Sequence, residues 1–333
     1  MTDPHLHTAS PVTTALEEFV HLDHLGLIAV RGADAETFLN AQLTNNVTPA
    51  ASSTRAWLAG FCSPKGRLIA TFVQWRHGDT IYLQTSRDVL EPVLKRLRMF
   101  VLRSKVTLDD VSESMVQIGF IDARPAGQER GDAWQVTGNE TSLSIRYPEA
   151  DGAARTLTVI TRAAWNAGDH GVGRALSPVD PQTWRWSEIR AGLPRVTTAT
   201  QDRFVPQMIN FEALGGVDFK KGCFPGQEVV ARSQYLGKLK RRMALAMVAS
   251  DDAGVVPAPG TDVFSAGEDG QACGMVVNAE RGPDGAIALL VELPLALFNS
   301  QSLRVGAADG PSLRIVTLPY PLPDNEVFVR PKL

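Results

Sequence analysis

FVPQMINFEALGGVDFKKGCFPGQEVVAR, residues 204–232, is the stretch that decides the fold, and its centre is Lys220-Lys221-Gly222-Cys223-Phe224-Pro225-Gly226-Gln227-Glu228. That centre packs two lysines, two glycines, a proline and a cysteine into one turn, and Val229, Val230 and Ala231 then open a helical pattern. A thiol acts as nucleophile or ligand only as the thiolate, which cations or a helix N-terminus favour. Cys223 has candidates for both. Lys220 and Lys221 precede it, and Gly226-Gln227 is placed to begin a helix whose first amide N–H groups have no partner within the helix. Gly222 and Gly226 allow positive φ or a close backbone approach. The same residues also read as a small buried hydrophobe beside a solvated lysine edge.

Lys221, Gly222, Cys223, Phe224, Gly226, Gln227 and Glu228 fill each fixed position of a Lys-Gly-Cys-aromatic-x-Gly-Gln-Glu string. With FVPQMINFEALGGVDF before it, this stretch resembles the signature of the YgfZ-type folate-binding proteins. Those proteins are relatives of the aminomethyltransferase (T-protein) of the glycine cleavage system. LDHLGLIAVRGADAETFLNAQLTNNV (22–47), CSPKGRL (62–68), IRAGLP (189–194) and TLPYPL (317–322) extend the resemblance over nearly the full chain. It implies an α+β, T-protein-like folate-binding fold with a C-terminal β-barrel. It also implies tetrahydrofolate or a derivative as cofactor, with Trp184, Arg190, Leu25 and Asn210 around it. Two positions depart from the family pattern: a common glutamate before Ala-Gly is Arg190 here, and an N-terminal aromatic is Leu25. Arg190 suits folate's glutamyl carboxylates, but it cannot accept a hydrogen bond from a pterin N–H.

A chain of 333 residues is long for one core, and 44% hydrophobic with 21% charged residues describes an ordinary globular protein. The expected organisation is a loose terminus over 1–18, a folate-binding region of two interleaved subdomains over 19–242, and a barrel over 243–333. A net charge of −3 supplies no global field for nucleic acid. Cys62, Cys223 and Cys273 form no Cys-x-x-Cys pair, which argues against a local zinc site or disulfide framework and fits a reducing cytoplasm. The N-terminus lacks a basic region followed by an apolar run, and the longest apolar stretch, 286–298, is broken by Glu292 and Pro294. The expectation is a cytoplasmic monomer without a membrane span or a metal site.

Along the chain, strands are expected at 25–30, 57–62, 68–75, 81–84, 100–108, 115–120, 134–136, 143–146 and 157–161. Helices are expected after Asp34 and over 88–101, with Pro92 in the first turn of the latter. Asp180-Pro181 reads as N-cap and first helical residue of another, ending before Gly192. It carries Trp184 and Trp186, two tryptophans that also read as plain core. Short strands at 245–248, 262–265, 272–278, 286–291, 302–305 and 315–318 suggest the barrel. Gly171-Val-Gly173 begins like a dinucleotide fingerprint but lacks the third glycine, and the histidines form no HExxH. Lys238-Leu-Lys240-Arg241-Arg242 is the densest basic run, either a solvated face or an edge for phosphate or acid.

The function implied by the resemblance is a folate-binding accessory protein supporting assembly or repair of iron–sulfur clusters in client enzymes, tRNA-modifying ones included, with Cys223 as the key thiol. A folate-dependent aminomethyltransferase or demethylase is the second reading. An RNA-binding module resting on the basic run is the third.

Overall fold

The computed structural model describes residues 17–47, 54–122, 132–169, 176–235, 239–265 and 270–323. The dinucleotide-like Gly171–Leu176 segment, all but Leu176, and Lys238 of the basic run lie outside them. Strand β1 (Glu17–His21) begins inside the segment expected to be loose, and β2 (Leu25–Arg31) follows after a short turn. The two enter different sheets. β1 joins β7 (Met115–Asp122), β8 (Val136–Gly138), β9 (Ser142–Ala150), β10 (Ala153–Thr161) and β11 (Leu176–Val179) in the order β11-β1-β7-β10-β9-β8. β2 joins β3 (Trp57–Cys62), β4 (Leu68–His77), β5 (Thr80–Ser86) and β6 (Thr107–Asp110) in the order β3-β4-β5-β2-β6. The chain therefore leaves the first sheet after one strand, completes the second, and returns.

The second sheet is buried on both faces, as its near-continuous apolar strands require. Leu25 and Leu27 of β2 face the central core, while Ile28 and Val30 face helices α1 (Ala35–Asn40) and α2 (Arg87–Arg98). α2 buries Val89, Leu90, Val93, Leu94 and Leu97 there, each worth about 1.5–3 kcal/mol of apolar burial. Pro92 sits one turn deeper than expected. The Asp88 carbonyl, which an amide at residue 92 would have bonded, instead accepts Thr198 Oγ1 at 3.1 Å. Residues 100–106 form turns rather than a strand, and only β6 of that span pairs. Asp34 does not cap α1; its carboxylate accepts the Lys105 amide at 2.7 Å.

After the short helix α3 (Arg162–Asn166), α4 (Pro181–Arg190) starts as expected, with Asp180 Oδ1 accepting the Gln182 amide at 2.7 Å. A 3-10 turn over Pro206–Ile209 and helix α5 (Gln227–Tyr235) flank the cysteine turn. Strands β12 (Arg241–Val248), β13 (Asp262–Ser265), β14 (Ala272–Arg281), β15 (Ile287–Pro294), β16 (Leu303–Val305) and β17 (Ser312–Val316) close into a barrel. Both sheets, α4, the 204–230 segment and one wall of the barrel meet in a single central core that includes Trp75, Tyr147, Trp184, Phe211, Phe224 and Leu290. Among the described residues no helix is long and apolar enough to cross a membrane, and no group of three His, Cys, Asp or Glu side chains is placed to hold a metal.

Candidate functional site

The cysteine turn rests on the turn that joins β3 to β4. Gly226 has φ of 79° and Gly66 φ of 70°. A Cβ on Gly226 would lie 2.4 Å from the Ser63 carbonyl oxygen and 2.5 Å from the Gly66 nitrogen. The two turns thus meet backbone to backbone, an approach that only glycine permits. Gly222 needs no such freedom: its φ is not positive and the space around it is open.

Lys221 is the second fastening. Its Nζ donates to the carbonyls of Asn40 at 2.6 Å and Leu43 at 2.7 Å, at and just beyond the end of α1, and lies 5.0 Å from the centroid of the Phe224 ring. Burial draws this ammonium down to about 8, opposed by Asp218 and Cys223. Of the two lysines that precede the thiol, Lys220 is exposed, while Lys221 donates to backbone and lies close enough to Cys223 for the two to interact electrostatically. Phe224 is buried, and Gln227 and Glu228 start α5, with Glu228 paired to Arg232 at 3.1 Å on an exposed face. Between these anchors Cys223 is exposed. Cys62 and Cys273 are buried, and burial, with Asp202 adding to it, pushes the Cys62 thiol up to about 12. A thiol held there stays protonated and inert, so Cys223 is the one open to chemistry.

The residues expected around folate have other occupations. Trp184 is fully buried. One side of its ring lies on Gly119, where a Cβ would come within 2.3 Å, and the Arg155 guanidinium stands 4.5 Å from its centroid. Tyr147 meets it edge-on at 5.4 Å. A pterin has no face of Trp184 to stack on unless Arg155 leaves. Leu25 is core. Asn210, in the left-handed region with φ of 57°, donates Nδ2 to the Met243 carbonyl at 2.7 Å and accepts the Met243 amide at 3.3 Å, which fastens the motif segment to β12. Arg190 makes a two-pronged bond to Asp151 at 2.8 and 2.6 Å. As a cradle for a pterin, these four side chains do not fit.

The basic run is neither a solvated face nor an anion site over its last two members. Arg241 pairs with Glu292 through both carboxylate oxygens, and Arg242 is buried against Glu212 at 2.7 Å, both side chains 3% exposed. β12 carries them into the barrel junction, where burial demands a partner for each charge.

A cluster that the sequence reading passed over lies one helical turn from Trp184. Glu188 is buried and bonded by Arg195 Nη2. Arg195, together with His24 and Arg155, holds its carboxyl below the usual range despite burial. Arg155 Nε and Nη2 and Trp184 Nε1 have no hydrogen-bond partner among the described residues. The available signal was the i, i+4 spacing of Trp184 and Glu188 on a helix already recognised, which puts a carboxylate on the same face as a core tryptophan.

No protein-family model matches the chain. Among curated proteins it is 32% identical over 310 residues to the tRNA-modifying protein YgfZ of Shigella sonnei, across 90% of this chain and 92% of that one. It is 31% identical over the same length to the protein of that name from Escherichia coli O127:H6. Among solved structures, the glycine cleavage system aminomethyltransferase T of Bartonella henselae superposes with a TM-score of 0.68 over 92% of this chain and 87% of that one, at 15% identity. That likeness establishes the T-protein-like fold, and the two sequence matches over nine-tenths of the length place the chain in the YgfZ family of tRNA-modifying proteins.

Proposed function

We propose that the chain is a folate-binding accessory protein that supports assembly or repair of iron–sulfur clusters in client enzymes, tRNA-modifying ones among them, and that Cys223 is the thiol that acts on or docks the client. The observation that carries this reading is an exposed cysteine on a turn fastened by Gly226 against Gly66 and by Lys221 on the end of α1. A thiol held this way keeps a fixed position while its sulfur stays reachable, which is what delivery to a metal cluster or a partner cysteine requires. The protein works as a monomer in a reducing cytoplasm, where such a thiol persists. Tetrahydrofolate or a derivative enters through the family resemblance, and because the four residues expected to hold it are otherwise engaged, no chemical step is assigned to it.

The test is complementation. In cells lacking the protein, Cys223→Ser and Cys223→Ala should fold like wild type and fail to restore a cluster-dependent tRNA-modifying enzyme. Full restoration by either variant overturns the role of the thiol.

A further inference from the structure

Among the described residues five large hydrophobic side chains are exposed, and three of them, Met99, Phe100 and Leu102, stand together on the turns that follow α2. Leu102 is 88% exposed and Met99 61%. The span 95–105 around them carries five cations and no acid, in a chain whose net charge is −3. Lys95, Arg98, Arg103 and Lys105 are exposed there.

The backbone of these turns is fastened, with the apolar side chains outward. Val101 and Val106 pack on the core between the second sheet and its helices. Arg98 Nε and Nη2 donate to the Leu108 carbonyl at 3.0 and 2.6 Å, and the Lys105 amide donates to the Asp34 carboxylate at 2.7 Å. Gly32 backs the turn so closely that a Cβ there would lie 2.1 Å from the Lys105 carbonyl oxygen. Leu102 takes a φ of 42°, a left-handed conformation that a bulky side chain rarely adopts, and at its exposure no burial offsets that strain.

We propose that this tip docks the protein on an anionic lipid bilayer, with Met99, Phe100 and Leu102 entering the headgroup region and the surrounding cations meeting lipid phosphates. This is attachment to one face and needs no spanning helix. An apolar tip ringed by cations is complementary to the negative potential of such a surface, which attracts basic residues within about a Debye length. Asp109 is shared by Arg31 at 3.5 Å and Arg98 at 3.8 Å, which leaves the side chains of Arg103 and Lys105 without an acidic partner among the described residues. A peptide helix is received by a groove, whereas these side chains project. Single-stranded nucleic acid calls for aromatic faces on which bases stack, and two of the three apolar residues are aliphatic.

The test is co-sedimentation of the full-length protein with vesicles of equal parts phosphatidylglycerol and phosphatidylcholine, set against phosphatidylcholine alone. The protein should pellet with the first and stay free with the second, and added salt should release it. Leu102→Gly should weaken vesicle binding about tenfold, the size of one lost aliphatic side chain. Its melting temperature should not fall, because glycine adopts positive φ without strain, so lost binding cannot be lost folding. Arg103→Glu should weaken binding about tenfold or more. Arg314→Glu, exposed on β17, should change it less than about threefold. No pelleting of the wild-type protein with phosphatidylglycerol, or wild-type binding by Leu102→Gly, overturns the proposal. Retention of unfractionated tRNA that Arg103→Glu abolishes and Leu102→Gly leaves intact overturns it in favour of nucleic acid. A dimer in analytical ultracentrifugation that Leu102→Gly dissolves overturns it in favour of a second copy of the chain.

Discussion

The turn carrying Cys223 and the helix carrying Trp184 are both held by charge and close packing, yet one turns its chemistry outward and the other inward. In the turn, the residues with special properties are spent on backbone: Gly226 on the Ser63–Gly66 turn and Lys221 on the carbonyls of Asn40 and Leu43. The thiol is what remains at the surface. In the helix, the aromatic residue is itself the fastening, clamped between Gly119 and Arg155, and the group left facing a cavity is the carboxylate one turn on. A residue that looks functional by type can thus be the support, and its neighbour the one presented.

The junction between the two regions gives the largest expected effect. Arg242→Met strands the Glu212 carboxylate in a site where both partners are 3% exposed, and should cost about 3–5 kcal/mol in denaturant unfolding. Arg242→Met with Glu212→Leu should recover much of that loss, because an apolar pair has no charge to desolvate. An exposed arginine would lose almost nothing in the single variant, and that result would return the basic run to the surface.

The glycines of the motif divide the turn in the same way. Gly226→Ala puts a methyl 2.4 Å from the Ser63 carbonyl at a φ of 79°, and should cost roughly 2–4 kcal/mol, backbone strain of about 1–3 kcal/mol plus the clash. Gly222→Ala should stay within about 0.5 kcal/mol. Equal melting temperatures for the two variants would mean that the turns do not touch as described.

These cases show what was legible beforehand. The barrel strands and the Asp180-Pro181 helix start were readable because alternation, a capping carboxylate and a first-turn proline are local signals. Gly222 and Gly226 were indistinguishable in the string, since which one meets another backbone depends on a turn some 160 residues earlier. Trp184 and Glu188 were both visible on α4, but their roles depend on Gly119, Arg155 and Arg195, which come from β7, β10 and the chain after the helix. Likewise Arg241 and Arg242 read as surface charge because their acidic partners, Glu292 and Glu212, are distant or inconspicuous in sequence.

A smaller effect reports on the inward region through pH. Burial, helped by Arg195 and Arg185 and opposed by Glu188 and Asp23, lowers His24 from its ordinary 6.5 to about 4. Between those values the unfolded chain binds a proton that the folded one refuses, so stability is full above pH 6.5 and falls as pH drops toward 4, by at most about 3 kcal/mol. Glu188, whose carboxyl is also held low, contributes its loss below its ordinary 4.5, in a lower window. His24→Leu should flatten melting temperature between pH 6.5 and 4.5. An unchanged slope would show that His24 is hydrated and outside the packed region.

The smallest effect on stability belongs to the outward region and is the most specific. Cys223 is exposed and not in a disulfide, so Cys223→Ser should shift unfolding by no more than about 0.5 kcal/mol. Cys62 is 1% exposed with its thiol pushed up to about 12, so Cys62→Ser should cost on the order of 1–3 kcal/mol for a hydroxyl placed in apolar surroundings. Reactivity should run opposite to stability. Iodoacetamide on the native protein should label Cys223 first, with Cys62 and Cys273 modified only at the rate of unfolding, and mass spectrometry of the peptides reads the order directly. Comparable labelling of Cys62 and Cys223 would erase the distinction between an outward and an inward sulfur, and with it the reason to assign the chemistry to the turn.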